Sequence, residues 1–155
     1  MKKIWYLLKC PEGYEQNYAR QYQELAGPQE LQEIVCFEYQ RMMRYGGSWH
    51  LERRTLFPGY VFLSGDMLPL KECIPLVPCE PPYMKELCQE DNLVALSRGV
   101  IRNGNTVVTS GPLKGREGLI RRINRHRRTA EIEIPFRGKT VQVTVGLEIY
   151  EKVKG

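Results

Sequence analysis

The sequence predicts an α+β protein in which a region of mixed helices and strands is followed by a small all-β barrel. Three observations predict this: a helical aromatic stripe near the N-terminus, alternating apolar and polar residues over residues 129–145, and a change of charge balance near residue 100. The 155 residues suffice for one or two small domains. We therefore expect a first domain over residues 1–98, a linker over residues 99–104 and a second domain over residues 105–155.

The charge of the chain is concentrated in its last third. Residues 1–100 hold 11 Lys and Arg against 13 Asp and Glu, whereas residues 101–155 hold 12 against 5. These counts leave net charges of −2 and +7, so the second segment exceeds the +5 of the whole chain. Such asymmetry favours a polyanionic partner for the basic segment. A basic surface without a specific partner is the alternative.

The first region predicts a strand, a helix and a long hairpin. The segment over residues 3–9 is short and mostly aromatic or apolar, which is typical of a strand. In residues 14–25 the apolar and aromatic side chains recur at helical spacing. The helical stripe, which we expect to be core, consists of Tyr14, Tyr18, Tyr22 and Leu25. Residues 34–45 and 50–64 predict two strands joined at a Gly-Gly-Ser tip. The basic residues near this tip are Arg41, Arg44, Arg53 and Arg54.

The end of the first region is less regular. Residues 68–74 predict a short helix and residues 83–98 a longer one. The Pro-rich residues 76–82 between them predict an extended edge segment.

The second region predicts five short strands in an antiparallel barrel. Ala130, Ile132 and Ile134 alternate with glutamates, and three valines alternate with polar residues further on. The predicted strands cover residues 105–109, 117–124, 129–135, 139–145 and 148–153. A basic turn over residues 124–128 joins the second strand to the third.

Nothing in the sequence predicts an enzyme, and we expect no catalytic residues, no metal and no cofactor. The two histidines lie in polar turns, and no phosphate-binding glycine motif follows a strand. The cysteines are odd in number and lack Cys-x-x-Cys spacing, which favours reduced thiols over a disulfide framework or zinc site. A metal site at Cys73, Cys79 and Cys88 is disfavoured because no fourth ligand is evident.

The N-terminus and the hydropathy of the chain predict its location. Lys9 interrupts the N-terminal apolar run before a signal-peptide core forms, and no stretch reaches the length of a membrane span. We therefore expect a cytoplasmic protein without a membrane partner.

Residues 104–120 resemble the KOW motif. They contain a strand, a Gly111-Pro112 turn and a second apolar strand, with the sequence GNTVVTSGPLKGREGLI. The resemblance implies an SH3-like barrel, a fold shared by ribosomal proteins and transcription factors.

A second resemblance covers the first region. Trp5-Tyr6 and the segment Leu56–Phe62 are similar to the N-terminal (NGN) domain of the NusG family, so that with the KOW motif the resemblance covers essentially the whole chain. It implies an antiparallel sheet flanked by helices, with an apolar patch that docks on the clamp helices of the bacterial RNA polymerase β′ subunit. The implied patch residues are Tyr6, Leu56, Phe57 and Tyr60. The same residues could equally be core, as we expect of Val61 and Leu63.

The basic barrel resembles the LoaP group of NusG paralogs, which are processive antiterminators recruited by an RNA hairpin in the nascent leader. Leu113 and Arg116 stand where housekeeping NusG proteins usually present aromatic contacts to Rho and a ribosomal protein. Arginine suits phosphate and guanine recognition because its donors are planar and paired. The candidate RNA-binding residues are Lys114, Arg116, Arg121, Arg122, Arg125, His126, Arg127, Arg128, Arg137 and Lys139.

Other functions stay open at this point. The chain could be a general NusG that couples polymerase to Rho or the ribosome, or a ribosome-associated KOW protein that binds RNA. Non-template DNA could replace RNA as the ligand, and the barrel could refold to helix, although its alternating valines and isoleucines favour a stable barrel. We expect a monomer.

Overall fold

The computed structural model describes residues 4–25, 33–65, 73–75, 80–88 and 91–153. Within these residues the strands form three sheets. In chain order the elements are β1 (Ile4–Lys9), α1 (Glu15–Leu25), β2 (Glu33–Val35), β3 (Glu38–Tyr45), β4 (Ser48–Thr55), β5 (Tyr60–Gly65), β6 (Cys73–Pro75), α2 (Glu80–Leu87), β7 (Leu93–Val94), β8 (Ser97–Arg102), β9 (Asn105–Ser110), a 3-10 turn (Glu117–Leu119), β10 (Ile120–Asn124), β11 (Thr129–Phe136) and β12 (Lys139–Val153).

The first sheet is antiparallel, with strand order β2-β5-β1-β6, and is covered on both faces. Leu8, Val61 and Leu63 form one buried face against α1, which confirms Val61 and Leu63 as core. Tyr18 and Tyr22 pack on this face, as the helical stripe predicts. Tyr14 does not, because α1 begins one residue later and leaves its side chain 55% exposed.

The second sheet is built on the predicted hairpin, with order β4-β3-β7. Tyr45 pairs with Ser48 across a two-residue turn, in which Gly46 and Gly47 have φ angles of 60° and 80°. Such positive angles match the twist of the two strands and favour glycine at both positions. The hairpin is therefore confirmed.

The two long hairpin strands that the sequence predicts are each divided in the structure. Residues 34–45 split into β2 and β3, and residues 50–64 split into β4 and β5. The chain changes sheet at two adjacent points, where the Leu56 N–H donates to the Phe37 carbonyl at 2.9 Å. The alternation of Val35, Phe37 and Tyr39, all three buried, runs through this crossing, so the sequence pattern does not reveal it.

The helix predicted over residues 83–98 is wrong beyond its first turn or two. Helix α2 ends at Leu87, and Asp91 and Asn92 then have φ angles of 55° and 54°, which no right-handed helix accommodates. The extended assignment of residues 80–82 is also wrong, since the prolines there lie in the first turn of α2, where a missing N–H costs nothing. Residues 68–72 and 76–79 lie outside the described residues, and residues 73–75 form β6, not a helix.

The third sheet has the order β10-β11-β12-β8-β9 and contains the strands predicted for the barrel, and we use the name barrel for this sheet and its turns. Residues 117–119 form a 3-10 turn ahead of β10, and the predicted fourth and fifth strands are one continuous strand, β12. At Gly146 this strand leaves its antiparallel partner β11, and from Leu147 it runs parallel to β8. Residues 99–102 of the expected linker are thus strand residues in this sheet, and the division of the chain into domains stays a prediction.

The apolar core continues from the first region into the barrel. Trp5, Leu7 and Phe62 of the first sheet belong to the same buried cluster as Ile132 and Val145 of the barrel. Strand β12 packs across β3 at the junction. No helix among the described residues is long and apolar enough to cross a membrane.

Candidate nucleic-acid interface

The basic turn between β10 and β11 is held by its own hydrogen bonds. The Asn124 side-chain oxygen accepts from the Arg127 N–H at 2.9 Å, and the Arg125 carbonyl accepts from the Arg128 N–H at 3.3 Å. Arg125, His126 and Arg127 are exposed, as predicted for a loop of solvated charges. In the described part of the chain, neither Arg125 nor Arg127 enters an ion pair through its side chain. Their guanidinium groups are therefore available to a polyanion.

The ten predicted RNA-binding residues do not form one surface. Arg137 and Lys139 flank the turn after β11, whereas Arg125 and Arg127 precede that strand. An eight-residue strand of about 3.3 Å per residue puts the two groups about 23 Å apart. Lys114 is exposed in a third place, the turn after β9. The turn over residues 124–128 and the adjacent Arg122 therefore form the main group.

Arg121 and Arg116 are among the predicted residues that make contacts inside the barrel. Arg121 donates to a Glu133 carboxylate oxygen at 2.6 Å and to the Gly118 carbonyl at 2.7 Å. The first of these bonds lowers the pKa of Glu133 below its ordinary value. Arg116 donates to the Pro112 carbonyl at 3.0 Å. Both side chains are therefore partly occupied in holding the barrel's turns.

The basic turn packs against the hairpin of the second sheet. The guanidinium carbon of Arg128 lies 3.7 Å from the Trp49 ring centroid, a cation–π contact, and Arg128 also pairs with Glu148 at 3.4 Å. Arg41 donates to the Arg127 carbonyl at 3.4 Å. The site prediction did not include Trp49 or Arg41, and the signal that points to Arg41 is the excess of arginine near the hairpin tip.

The predicted polymerase patch is largely covered by the barrel. Phe57 is 5% exposed and stacks on Phe136, with ring centroids 5.1 Å apart and planes 15° apart. Leu56 is buried beside it, and the Tyr60 ring lies 5.6 Å from Phe136. A cavity of about 440 Å³ remains along this contact. Leu56, Phe57 and Tyr60 are therefore packed between the two regions. They do not form the exposed apolar patch that the resemblance implies.

Tyr6 is not brought together with the other three predicted patch residues. It is half-buried in the cluster with Leu8, Val61 and Tyr18, against α1. Phe57 belongs to the cluster on the opposite face of the first sheet. The alternation of side chains along β1 explains the separation, since Tyr6 and Leu8 share a face that Trp5 and Leu7 do not.

A buried carboxylate holds the turn that carries Phe57 and Tyr60. Glu15 is 4% exposed, and its side chain accepts from the Gly59 N–H at 2.8 Å and from the Gly13 N–H at 3.1 Å. Residues 57–60 form a tight turn closed by the Tyr60 N–H on the Phe57 carbonyl. Glu15 therefore fixes the position of this turn against the start of α1.

Replacing Glu15 with alanine is expected to lower the free energy of unfolding by about 2 kcal/mol, because it leaves the buried Gly59 N–H without an acceptor and removes the hydrogen bond to the more exposed Gly13 N–H. Urea denaturation of the full chain measures this loss. Glu24→Ala is the matched control, since Glu24 is an exposed carboxylate on the same helix. Equal stability of the two variants would contradict this role of Glu15.

The described residues show no cluster of three or more His, Cys, Asp or Glu side chains that could hold a metal ion. Burial raises the pKa of the Cys36 and Cys88 thiols to about 11, so both are protonated at neutral pH. Cys79 lies outside the described residues, as does the side chain of Cys73. The structure therefore does not test the disfavoured metal site at these three cysteines.

Known proteins resemble this chain in fold but not in sequence. No protein-family model matches it, and no curated protein does. A solved structure described as "Domain interaction in Thermotoga maritima NusG" is similar with a TM-score of 0.51 and 19% sequence identity. The similarity covers 96% of this chain and 95% of that one. The chain is therefore similar to that NusG in its mixed, strand-rich fold over nearly its whole length.

Proposed function

We propose that this chain is a NusG-like transcription elongation factor that acts as a processive antiterminator, of the kind found in the LoaP group. It works in the cytoplasm as a monomer and is not an enzyme. The fold likeness to Thermotoga maritima NusG over 96% of the chain supports this proposal. The KOW-like segment and the NGN-like segment, which lie in the expected order, support it independently.

In this proposal the first region binds the β′ clamp helices of bacterial RNA polymerase. Leu56, Phe57 and Tyr60 supply a compact apolar surface of the kind that dominates protein interfaces. Because Phe136 covers that surface, docking requires the barrel to move aside first. Tyr6, on the other face of the sheet, stays a predicted polymerase contact but lies outside this surface.

The barrel binds structured RNA, which we take to be a hairpin in the nascent leader. The single observation that carries this part is the exposed turn over residues 124–128, whose Arg125 and Arg127 side chains project from the barrel. A regular RNA stem is recognised mainly by its shape and backbone, and a bulge or loop opens it to side chains on a turn. Phosphate contacts then supply most of the affinity, with a steep dependence on salt.

Coupling to Rho or to the ribosome is the second candidate function, and the turn after Gly111 disfavours it. Leu113 is fully buried there, and Arg116 bonds back to the Pro112 carbonyl. The turn thus presents no exposed aromatic side chain at the two positions where housekeeping NusG proteins present theirs. Capture of Rho or a ribosomal protein by the full chain would favour this second candidate.

Replacing Arg125 and Arg127 together with alanine is expected to weaken RNA binding by about 100-fold at low salt, because each charged contact is worth about 1.5 kcal/mol or more. The RNA is first obtained by selection on the wild-type chain from a pool of stem-loops with randomised loops and bulges. Fluorescence anisotropy then measures the affinity of both proteins over a range of salt concentrations. The salt slope should fall by about two, one for each lost phosphate contact.

The controls separate RNA recognition from general basicity. Arg53→Ala/Arg54→Ala removes the same charge from β4, outside the turn, and should reduce affinity far less. Duplex DNA and single-stranded DNA of the selected sequence should bind more weakly than the RNA. No enrichment of a common stem-loop, or equal affinity for RNA and DNA, would contradict the proposed RNA function, and tighter binding of single-stranded DNA would favour the non-template strand.

A further inference from the structure

A polar cleft lies where the hairpin of the second sheet meets the barrel. Its volume is about 320 Å³, more than enough for several water molecules or a small anion. Tyr39 and Arg41 of β3 line one side, and Arg122, Asn124 and Arg127 of the barrel line the other. The cleft exists only because the basic turn packs on the hairpin, so both regions of the chain contribute to it.

Arg41 is incompletely satisfied in this cleft. Its Nε atom is buried and has no hydrogen-bond partner within the described residues. One terminal nitrogen donates to the Arg127 carbonyl, at the long distance of 3.4 Å. A buried guanidinium donor without an acceptor costs free energy, so a native structure that retains one commonly supplies an acceptor from a ligand or solvent.

The charge of the lining selects the kind of acceptor. Three arginines face the cleft, against one carboxylate, that of Glu131. Asn124, Thr129 and Thr144 add neutral polar groups. A small anion that accepts several hydrogen bonds suits such a lining, and a tetrahedral phosphate matches the paired donors of arginine.

We propose that this cleft binds a backbone phosphate of the RNA, so that the RNA-binding surface extends from the barrel onto the hairpin through Arg41. This proposal rests on the RNA-binding function proposed above and adds a residue from the other region of the chain. Arg127 lines the cleft itself, and the exposed Arg125 of the same turn would contact a neighbouring phosphate of the same strand. Backbone contacts of this type set the position of the RNA without reading its sequence.

Two substitutions at Arg41 test the phosphate contact. Arg41→Gln is expected to weaken binding of a short RNA duplex to the full chain about tenfold and to reduce the salt slope by about one. Arg41→Lys keeps the charge but lacks the planar fork, so it should recover the salt slope yet regain only part of the affinity. Arg44→Ala is the matched control, because Arg44 lies on the same strand but is exposed and does not line the cleft.

The Arg41 Nε–H signal of the ¹⁵N-labelled wild-type chain provides a second, direct measurement. It should shift when the RNA duplex is added and respond to inorganic phosphate only at far higher concentration. A signal that responds equally to phosphate alone would overturn the assignment to RNA in favour of a free phosphate compound. If RNA binds but the signal stays fixed and both Arg41 variants keep wild-type affinity, the cleft proposal is wrong and the RNA function stands. If the wild-type chain binds no RNA, both proposals fail together.

Discussion

Replacing Gly146 with alanine is expected to lower the melting temperature of the chain by about 10 °C, since overpacking of about 3 kcal/mol in a protein of this size shifts the midpoint by that order. A Cβ atom at this position would lie 2.1 Å from the backbone oxygen of Gln40 and 2.8 Å from the Leu96 side chain. The first of these atoms belongs to a strand of the hairpin and cannot turn away. Strand β12 or strand β3 must therefore shift, which opens the junction between the barrel and the hairpin.

Thermal unfolding followed by circular dichroism measures the effect. Gly118→Ala is the matched control, because nothing lies within 4 Å of a Cβ atom there and its backbone is not in the left-handed region. Its melting temperature should stay within about 2 °C of the wild type, the range of an ordinary surface substitution. Equal melting temperatures for the two variants would show that β12 does not approach β3 as closely as described.

The same substitution has a local signature at the basic turn. Arg128 lies over the Trp49 ring, so displacement of the barrel exposes this indole to water. In a Trp5→Phe background Trp49 is the sole tryptophan, and Gly146→Ala should shift its emission to the red at temperatures where the chain is still folded. An unchanged spectrum would indicate that the loss of stability arises elsewhere.

The sequence predicted those parts of the fold that depend on local pattern. Alternation of apolar residues located β11, because every second side chain of a half-buried strand is apolar, and Gly46-Gly47 located the hairpin turn. The parallel pairing of β8 with β12 was not predictable, since it joins segments about fifty residues apart and leaves no periodic signal. The helix predicted over residues 83–98 failed because spacing alone does not reveal left-handed residues such as Asp91.

The candidate site was predictable to a similar extent. Charged side chains stay in water, so the exposure of Arg125 and Arg127 followed from composition alone. The contact between Arg41 and the Arg127 carbonyl joins residues 86 positions apart, and no local pattern encodes it. The same holds for the stacking of Phe57 on Phe136, because the sequence does not show whether either aromatic side chain is exposed or buried.

Replacing Phe136 with alanine is expected to raise the affinity of the chain for bacterial core RNA polymerase about tenfold, because losing the stacked ring weakens the covering contact by about 1.4 kcal/mol. Phe136 packs against Phe57, Tyr60 and Phe62, which lie in or beside the proposed polymerase patch. A ligand that binds only the uncovered state has an apparent affinity proportional to the population of that state. Weakening the cover therefore increases the population that polymerase can bind.

Anisotropy of the fluorescently labelled chain, titrated with core polymerase, measures this affinity. Tyr150→Ala removes another barrel aromatic, one that contacts Arg98 and Thr109 and not the patch, and should leave polymerase binding unchanged. Phe136→Leu keeps apolar volume without the stacked ring and should give an intermediate affinity. A Phe136→Ala variant that stays folded and binds polymerase no better than the wild type would mean one of two things. Either the barrel does not obstruct docking, or polymerase binds the other face of the first sheet. In the second case the half-buried Tyr6 would be the leading candidate for a polymerase contact.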